Sequence, residues 1–138
     1  MENRPKIRGF KDLIVWQRSM ALAARSYKIT KSFSREEIYS LTSQIRRAAI
    51  SIPSNIAEGH GRGSKSTLAN FIDIALGSAA ELETQLEISL RVGYLAQENY
   101  DSLLAELTKI VRMLYGSLNK VQPQRHAHSQ LPTNDSRL

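Results

Sequence analysis

The chain has no cysteine, which excludes disulfides and thiolate chemistry and agrees with a cytoplasmic protein, the compartment expected here. Long apolar runs are missing as well. The longest, Leu13 to Trp16, falls far short of the ~20 residues of a membrane span, and no apolar signal core opens the chain. No Val/Ile/Thr alternation reads as a strand, and no block recurs at a fixed spacing that would mark a repeat array. Acidic residues are also few: 13 Asp and Glu stand against 19 Lys and Arg, giving a formal charge of +6. That balance favours polyanionic partners.

What is present reads as one domain, since 138 residues suffice for a single core and not for two. The charge is segmented. Residues 1–35 hold nine Lys/Arg and two acids, whereas residues 67–105 hold one Lys/Arg and six acids. This alternation allows two readings, helix-to-helix complementarity or a ligand surface.

Four helical periods follow one another. Leu13, Trp16, Met20, Ala23 and Tyr27 recur at steps of three and four, predicting a first helix over 12–31 with these residues inward. Ser34 and Glu37 have capping-box spacing and predict the start of a second helix. Its stripe is Ile38, Leu41, Ile45, Ala49, Ile52 and Ile56, with Gly59 placed to end it in a left-handed turn. Pro53 lies on that stripe. Because the apolar phase is unchanged across it, the helix should continue with a kink, helped by Ser51, Ser54 or Asn55.

Ser64 or Ser66 can cap a third helix with Leu68, Phe71, Ala75, Ala79, Leu82 and Leu86 inward. The run Gly77-Ser78-Ala79-Ala80 predicts close approach by a neighbouring helix, and Gly93 predicts a termination over which Tyr94 and Leu95 fold back. The fourth helix carries Tyr100, Leu103, Leu107, Ile110, Leu114, Leu118 and Val121, and Ala96 leaves its start uncapped. The fold expected is all-α: an antiparallel up-down-up-down four-helix bundle over 12–121. A basic arm at 1–11 precedes it and a disordered tail at 122–138 follows.

Nothing in this pattern predicts chemistry. Paired metals in such bundles use Glu-x-x-His motifs. Here His60, His126 and His128 are preceded at three positions by Ala57, Pro123 and Arg125. The GHGRGS connector at 59–64 lacks the Gly-Lys-Ser/Thr ending of a phosphate loop and follows a helix instead of a strand. No nucleophile, base and oxyanion donor cluster together, so the chain is expected to be non-enzymatic and to carry no cofactor or metal.

Surfaces point elsewhere. Ile50, Pro53 and Ala57 on the second helix, and Ile74, Ile88 and Val92 on the third, lie off the core stripes and predict self-association. Arg46 and Arg47 leave the core side of the second helix, and Arg62 and Lys65 flank a helix start where phosphate can dock. With Arg4, Lys6, Arg8 and Lys11 of the arm they form a candidate basic surface for nucleic acid.

The stretches LTSQIRRAAISIPSNIAEG at 41–59 and FIDIALGSAAELETQL at 71–86, with Arg62 between them, closely resemble the four-helix-bundle family of 23S rRNA intervening-sequence proteins. FKDLIVWQ at 10–17 and GYL at 93–95 agree in order and spacing. The resemblance spans about residues 10–120, and the same superfamily includes the accessory determinant of diversity-generating retroelements, a partner of their reverse transcriptase. It implies a bundle assembled as a homopentamer, without enzymatic activity, with basic surfaces associated with nucleic acid, and with Pro53 as a built-in feature. In that pattern Arg46, Arg47, Arg62 and Lys65 match only as basic positions. Leu76 stands where relatives often carry a basic residue, and Ala96 where they often carry a Ser or Thr cap.

Overall fold

A computed structural model describes residues 8–122. The expectations for Arg4 and Lys6 of the arm, and for His126, His128 and the tail beyond 122, fall outside them. Among the described residues all regular structure is helical: α1 (Ile14–Thr30), α2 (Leu41–Gly61), α3 (Lys65–Arg91) and α4 (Gln97–Val121). Short 3-10 turns at Phe10–Asp12 and Arg35–Glu37 precede α1 and α2. Each helix packs on its two neighbours in the ring α1–α2–α3–α4, and the backbones of the diagonal pairs stay apart. This is a four-helix bundle. Contacts run in opposite directions along adjacent helices, Arg25 with Ser102 and Arg18 with Glu106 across α1 and α4, and Ser51 with Ser78 and Gly59 with Phe71 across α2 and α3.

The core is built mainly by α2, α3 and α4. Ile45, Ile52, Leu82, Leu103, Leu107 and Ile110 are all but fully buried, and the near-heptad stripe of α4 turns inward as its spacing predicts. On α2, Ala49, Ile52 and Ile56 are buried and Leu41 is half-buried, but Ile38 is 50% exposed. It falls in the irregular turn before the helix, outside the helical period.

α1 keeps Leu13, Trp16 and Ala23 of its predicted stripe against the core and loses the other two. Met20 and Tyr27 are 45% and 39% exposed, and the buried face is Val15, Ser19, Leu22, Ala23, Ser26 and Thr30. Three of these carry hydroxyls, which apolar periodicity does not count. Each returns its donor to the carbonyl one turn back: Ser19 to Val15 (2.7 Å), Ser26 to Leu22 (2.9 Å) and Thr30 to Ser26 (2.7 Å). Self-satisfied in this way, small hydroxyl residues enter the core without an orphaned donor and let α1 lie close to its neighbours. The predicted arm also shortens. Residues 10–12 form the first 3-10 turn, Arg8 N donates to Asp12 Oδ2 at 2.9 Å, and Phe10 packs edge-on to Trp16 with ring centroids 5.4 Å apart.

α2 is continuous through Pro53. Asn55 Nδ2 donates to the Ser51 carbonyl (2.7 Å) and to Ser51 Oγ (2.9 Å), a side-chain bond that spans the proline without reaching the Ala49 carbonyl opposite it. The helix runs past Gly59 to Gly61. Gly59 is needed for another reason: a Cβ there would lie 2.7 Å from Phe71 Cβ, so its missing side chain lets α2 and α3 touch. The left-handed residue of this connector is Gly63, at φ 80°. Ser64 then caps α3, accepting from Thr67 N at 3.1 Å.

At the other end of α3, Gly93 (φ 87°) closes a Schellman turn in which Gly93 N donates to Leu90 O and Tyr94 N to Ser89 O. Leu95 is buried and Tyr94 packs on Phe33, with ring centroids 5.4 Å apart. α4 starts at Ala96 with no side-chain cap. Among the described residues no helix is long and apolar enough to cross a membrane.

Candidate nucleic-acid interface

The four predicted cations fall into two groups. Arg47 precedes Arg62 by fifteen helical positions, so at 1.5 Å per residue the groups are roughly 22 Å apart along α2. Within each group the side chains have different duties.

Arg46 is half-buried and committed to the protein. Its Nε donates to Thr30 Oγ1 at 2.9 Å, another guanidinium nitrogen reaches the Tyr27 carbonyl at 3.5 Å, and the group lies 4.7 Å from the centroid of the Tyr27 ring. It thus donates to one carbonyl and one hydroxyl near the C-terminus of α1, where a cation also meets the negative end of the helix dipole. Arg62 pairs with Glu58 one turn earlier, through Nε at 3.2 Å and a second nitrogen, and lies 5.7 Å from the Phe71 ring centroid. Arg47 and Lys65 are exposed, and among the described residues neither has a hydrogen-bond or ion-pair partner.

The structure adds residues that the sequence did not single out. Lys28 and Lys31 of α1 are exposed and line one shallow cavity with Tyr27, while Arg46 and Arg47 line the next, which shares Tyr27. Five cations, counting Arg25, therefore line the two cavities that meet at one partly exposed aromatic ring. Their signal was in the sequence, as Lys28 and Lys31 one and four positions after Tyr27, but it was hidden when Tyr27 was placed in the core. A ring flanked by unpaired cations is the chemistry of a stacking platform for single-stranded nucleic acid, with phosphates held by the charges.

An apolar groove continues from this patch between α1 and α2. Trp16, Met20, Tyr27, Ile50, Pro53 and Ala57 line a cavity of about 440 Å³. Met20 and Tyr27, expected in α1's core stripe, form one wall with the half-buried Trp16, and the off-stripe residues of α2 form the other. On α3, Ile74, Ile88 and Val92 are 50%, 45% and 58% exposed.

Glu37 ties the start of α2 to the connector between α3 and α4. One of its carboxylate oxygens accepts from Ser40 Oγ (2.6 Å) and Leu41 N (3.3 Å), capping α2, and the other accepts from the Tyr94 hydroxyl at 3.2 Å. The capping box predicted with Ser34 is thus replaced. Ser34 caps only the 3-10 turn through Glu36 N, and Glu37 reaches forward because the chain turns at residues 38–40 before α2 begins. The Ser40 hydrogen bond is the main cause holding the Glu37 carboxyl below its usual range, with Leu41 N and Tyr94 adding to it against partial desolvation. Desolvation first, and then the Glu37 hydrogen bond and charge, push the Tyr94 hydroxyl up.

The profile of the 23S rRNA-intervening sequence proteins matches residues 11–116, the whole of the bundle but the end of α4. The chain belongs to that family. A solved member of the S23 ribosomal protein family from Bacteroides thetaiotaomicron, a protein of unknown function, is similar to it. The two share 30% identity and a TM-score of 0.69, over 76% of this chain and 98% of that one. No curated protein matches the chain. In this 23S rRNA-intervening sequence protein, α1 and α2 jointly present the basic patch and the apolar groove.

Proposed function

We propose that the protein is a non-enzymatic, self-associating bundle that binds RNA through the patch around Tyr27. The observation that carries this is the cluster of Lys28, Lys31 and Arg47, exposed and without acidic partners, beside a half-exposed ring that Arg46 holds in place. Family membership supports rRNA as the polyanion. The apolar groove between α1 and α2 offers a surface to a second copy, and the exposed Ile74, Ile88 and Val92 supply an apolar strip to meet it. Repetition of the patch around an assembly multiplies phosphate contacts without any base readout.

The test is a filter-binding titration with rRNA fragments at two salt concentrations. Each phosphate neutralised on a single strand contributes about −0.7 to the salt slope, so the three free cations supply roughly −2 per protomer. Lys31→Glu with Arg47→Glu should remove most of this retention while leaving the helical circular-dichroism signal intact. A pure protein scaffold, such as a reverse-transcriptase partner, would show no salt-sensitive retention in the wild-type chain.

A further inference from the structure

The connector between α1 and α2 carries an aromatic side chain that neither the core nor the groove uses. Tyr39 is 95% exposed, whereas the next most exposed large apolar residue, Ile14, reaches 60%. Among the described residues its ring meets no other ring and its hydroxyl has no hydrogen-bond partner. The backbone that presents it is nonetheless held on both sides. Ile38 N donates to Arg35 O at 3.2 Å and Ser40 N to Glu37 O at 3.1 Å, while a Glu37 carboxylate oxygen accepts from Ser40 Oγ and Leu41 N. A ligand that covers the ring therefore has little more to order than the side chain's own torsions.

Tyr39 stands at the rim of the basic patch. Its chain neighbour Ile38, about 3.8 Å away between Cα atoms, lines the cavity that Tyr27, Arg46 and Arg47 also line. In that cavity the Arg46 guanidinium lies over the Tyr27 ring, which leaves one face of it for a base. Lys31 opens the connector and Arg35 lies within it, both exposed and, among the described residues, without an ion-pair partner. Of the two acids in the turn, Glu37 is committed to the start of α2 and to Tyr94, so that Glu36 alone is left to oppose these cations.

We infer that Tyr39 is a second stacking platform, so that the patch takes a single strand with unpaired bases on both rings. One base lies on Tyr27 and another on Tyr39, and Lys31, Arg35 and Arg47 hold the phosphates. This rests on the RNA reading above and deepens it by naming the form of the RNA. A duplex keeps its bases stacked on one another and offers the protein its backbone and grooves, so it meets the cations and not the rings. No base is preferred, because every base has a face to stack.

The experiment is fluorescence anisotropy on the full chain at fixed salt, with labelled octauridylate as the single strand and self-paired GCGCGCGC RNA as the duplex. Tyr39→Ala should weaken the single strand about tenfold, the usual effect of losing one stacked base, and leave the duplex unchanged. Tyr39→Phe, which keeps the ring, should bind both as the wild type does. The salt slope for octauridylate should be the same in all three proteins, since no phosphate contact is removed. A thermal melt checks that the variants fold. Equal losses on single strand and duplex, no loss on either, or a loss in Tyr39→Phe as large as in Tyr39→Ala would overturn the platform and leave the RNA reading standing. A change in sedimentation for Tyr39→Ala at unchanged RNA affinity would overturn it in favour of a contact between copies. A wild type that binds neither RNA would overturn both readings.

Discussion

Gly59 and Gly77 are both interior helix glycines, and their surroundings give them opposite roles. A methyl group on Gly59 would collide with Phe71, while one on Gly77 would meet nothing within 4 Å. Gly59→Ala should therefore destabilise the bundle by about 1–3 kcal/mol, the usual cost of overpacking. Gly77→Ala should stabilise it by up to about 1 kcal/mol through helix propensity alone. Urea denaturation followed by circular dichroism separates the two, and equal midpoints would show that α2 and α3 can shift apart at no cost. The predicted close approach at Gly77-Ser78-Ala79-Ala80 divides in the same way: Ser78 and Ala79 are buried toward α2, whereas Gly77 and Ala80 face outward.

At the scale of the element, the cap of α2 makes stability depend on pH. Glu37 is held below its usual carboxyl range in the folded state, so its contribution is complete above the unfolded value near 4.5 and fades as pH falls through the lower folded value. The raised Tyr94 hydroxyl acts in the other direction, its contribution present below about pH 10 and lost above it. Glu37→Gln should flatten the acid limb of a plot of urea midpoint against pH between 3 and 6, and an unaltered limb would assign it to other carboxylates. α2, α3 and α4 were largely legible in the sequence because large aliphatic residues mark their buried faces. The span of α1 was legible too, but only part of its buried face was, since Ser19, Ser26 and Thr30 bury a side that hydropathy scores as polar. One misplacement produced the next: with Tyr27 assigned inward, neither the groove nor the lysines around that ring could be seen. The helix ends divided by mechanism. Gly93 and Ser64 act as their residue types predict, whereas Gly59 and Glu37 depend on contacts with Phe71 and Tyr94 that only the tertiary fold supplies.

For the whole molecule, the groove and the α3 strip lie outside a core that is already complete, so assembly and folding should be separable. Met20→Glu places a charge on the wall of the groove at a residue 45% exposed in the protomer. Sedimentation at micromolar concentration should show wild-type chains associated and the variant dissociated, with unchanged helical content. A wild type that sediments as a monomer would remove self-association from the proposed function. The hydroxyl-lined side of α1 has a consequence of its own. Much of that side presents groups already bonded to their own helix, so few large apolar side chains anchor α1 to its neighbours. Amide hydrogen exchange should therefore find α1 opening ahead of the other three rods, leaving a three-helix remnant whose uncovered seam invites exchange of α1 between copies, and uniform protection across the four would refute this.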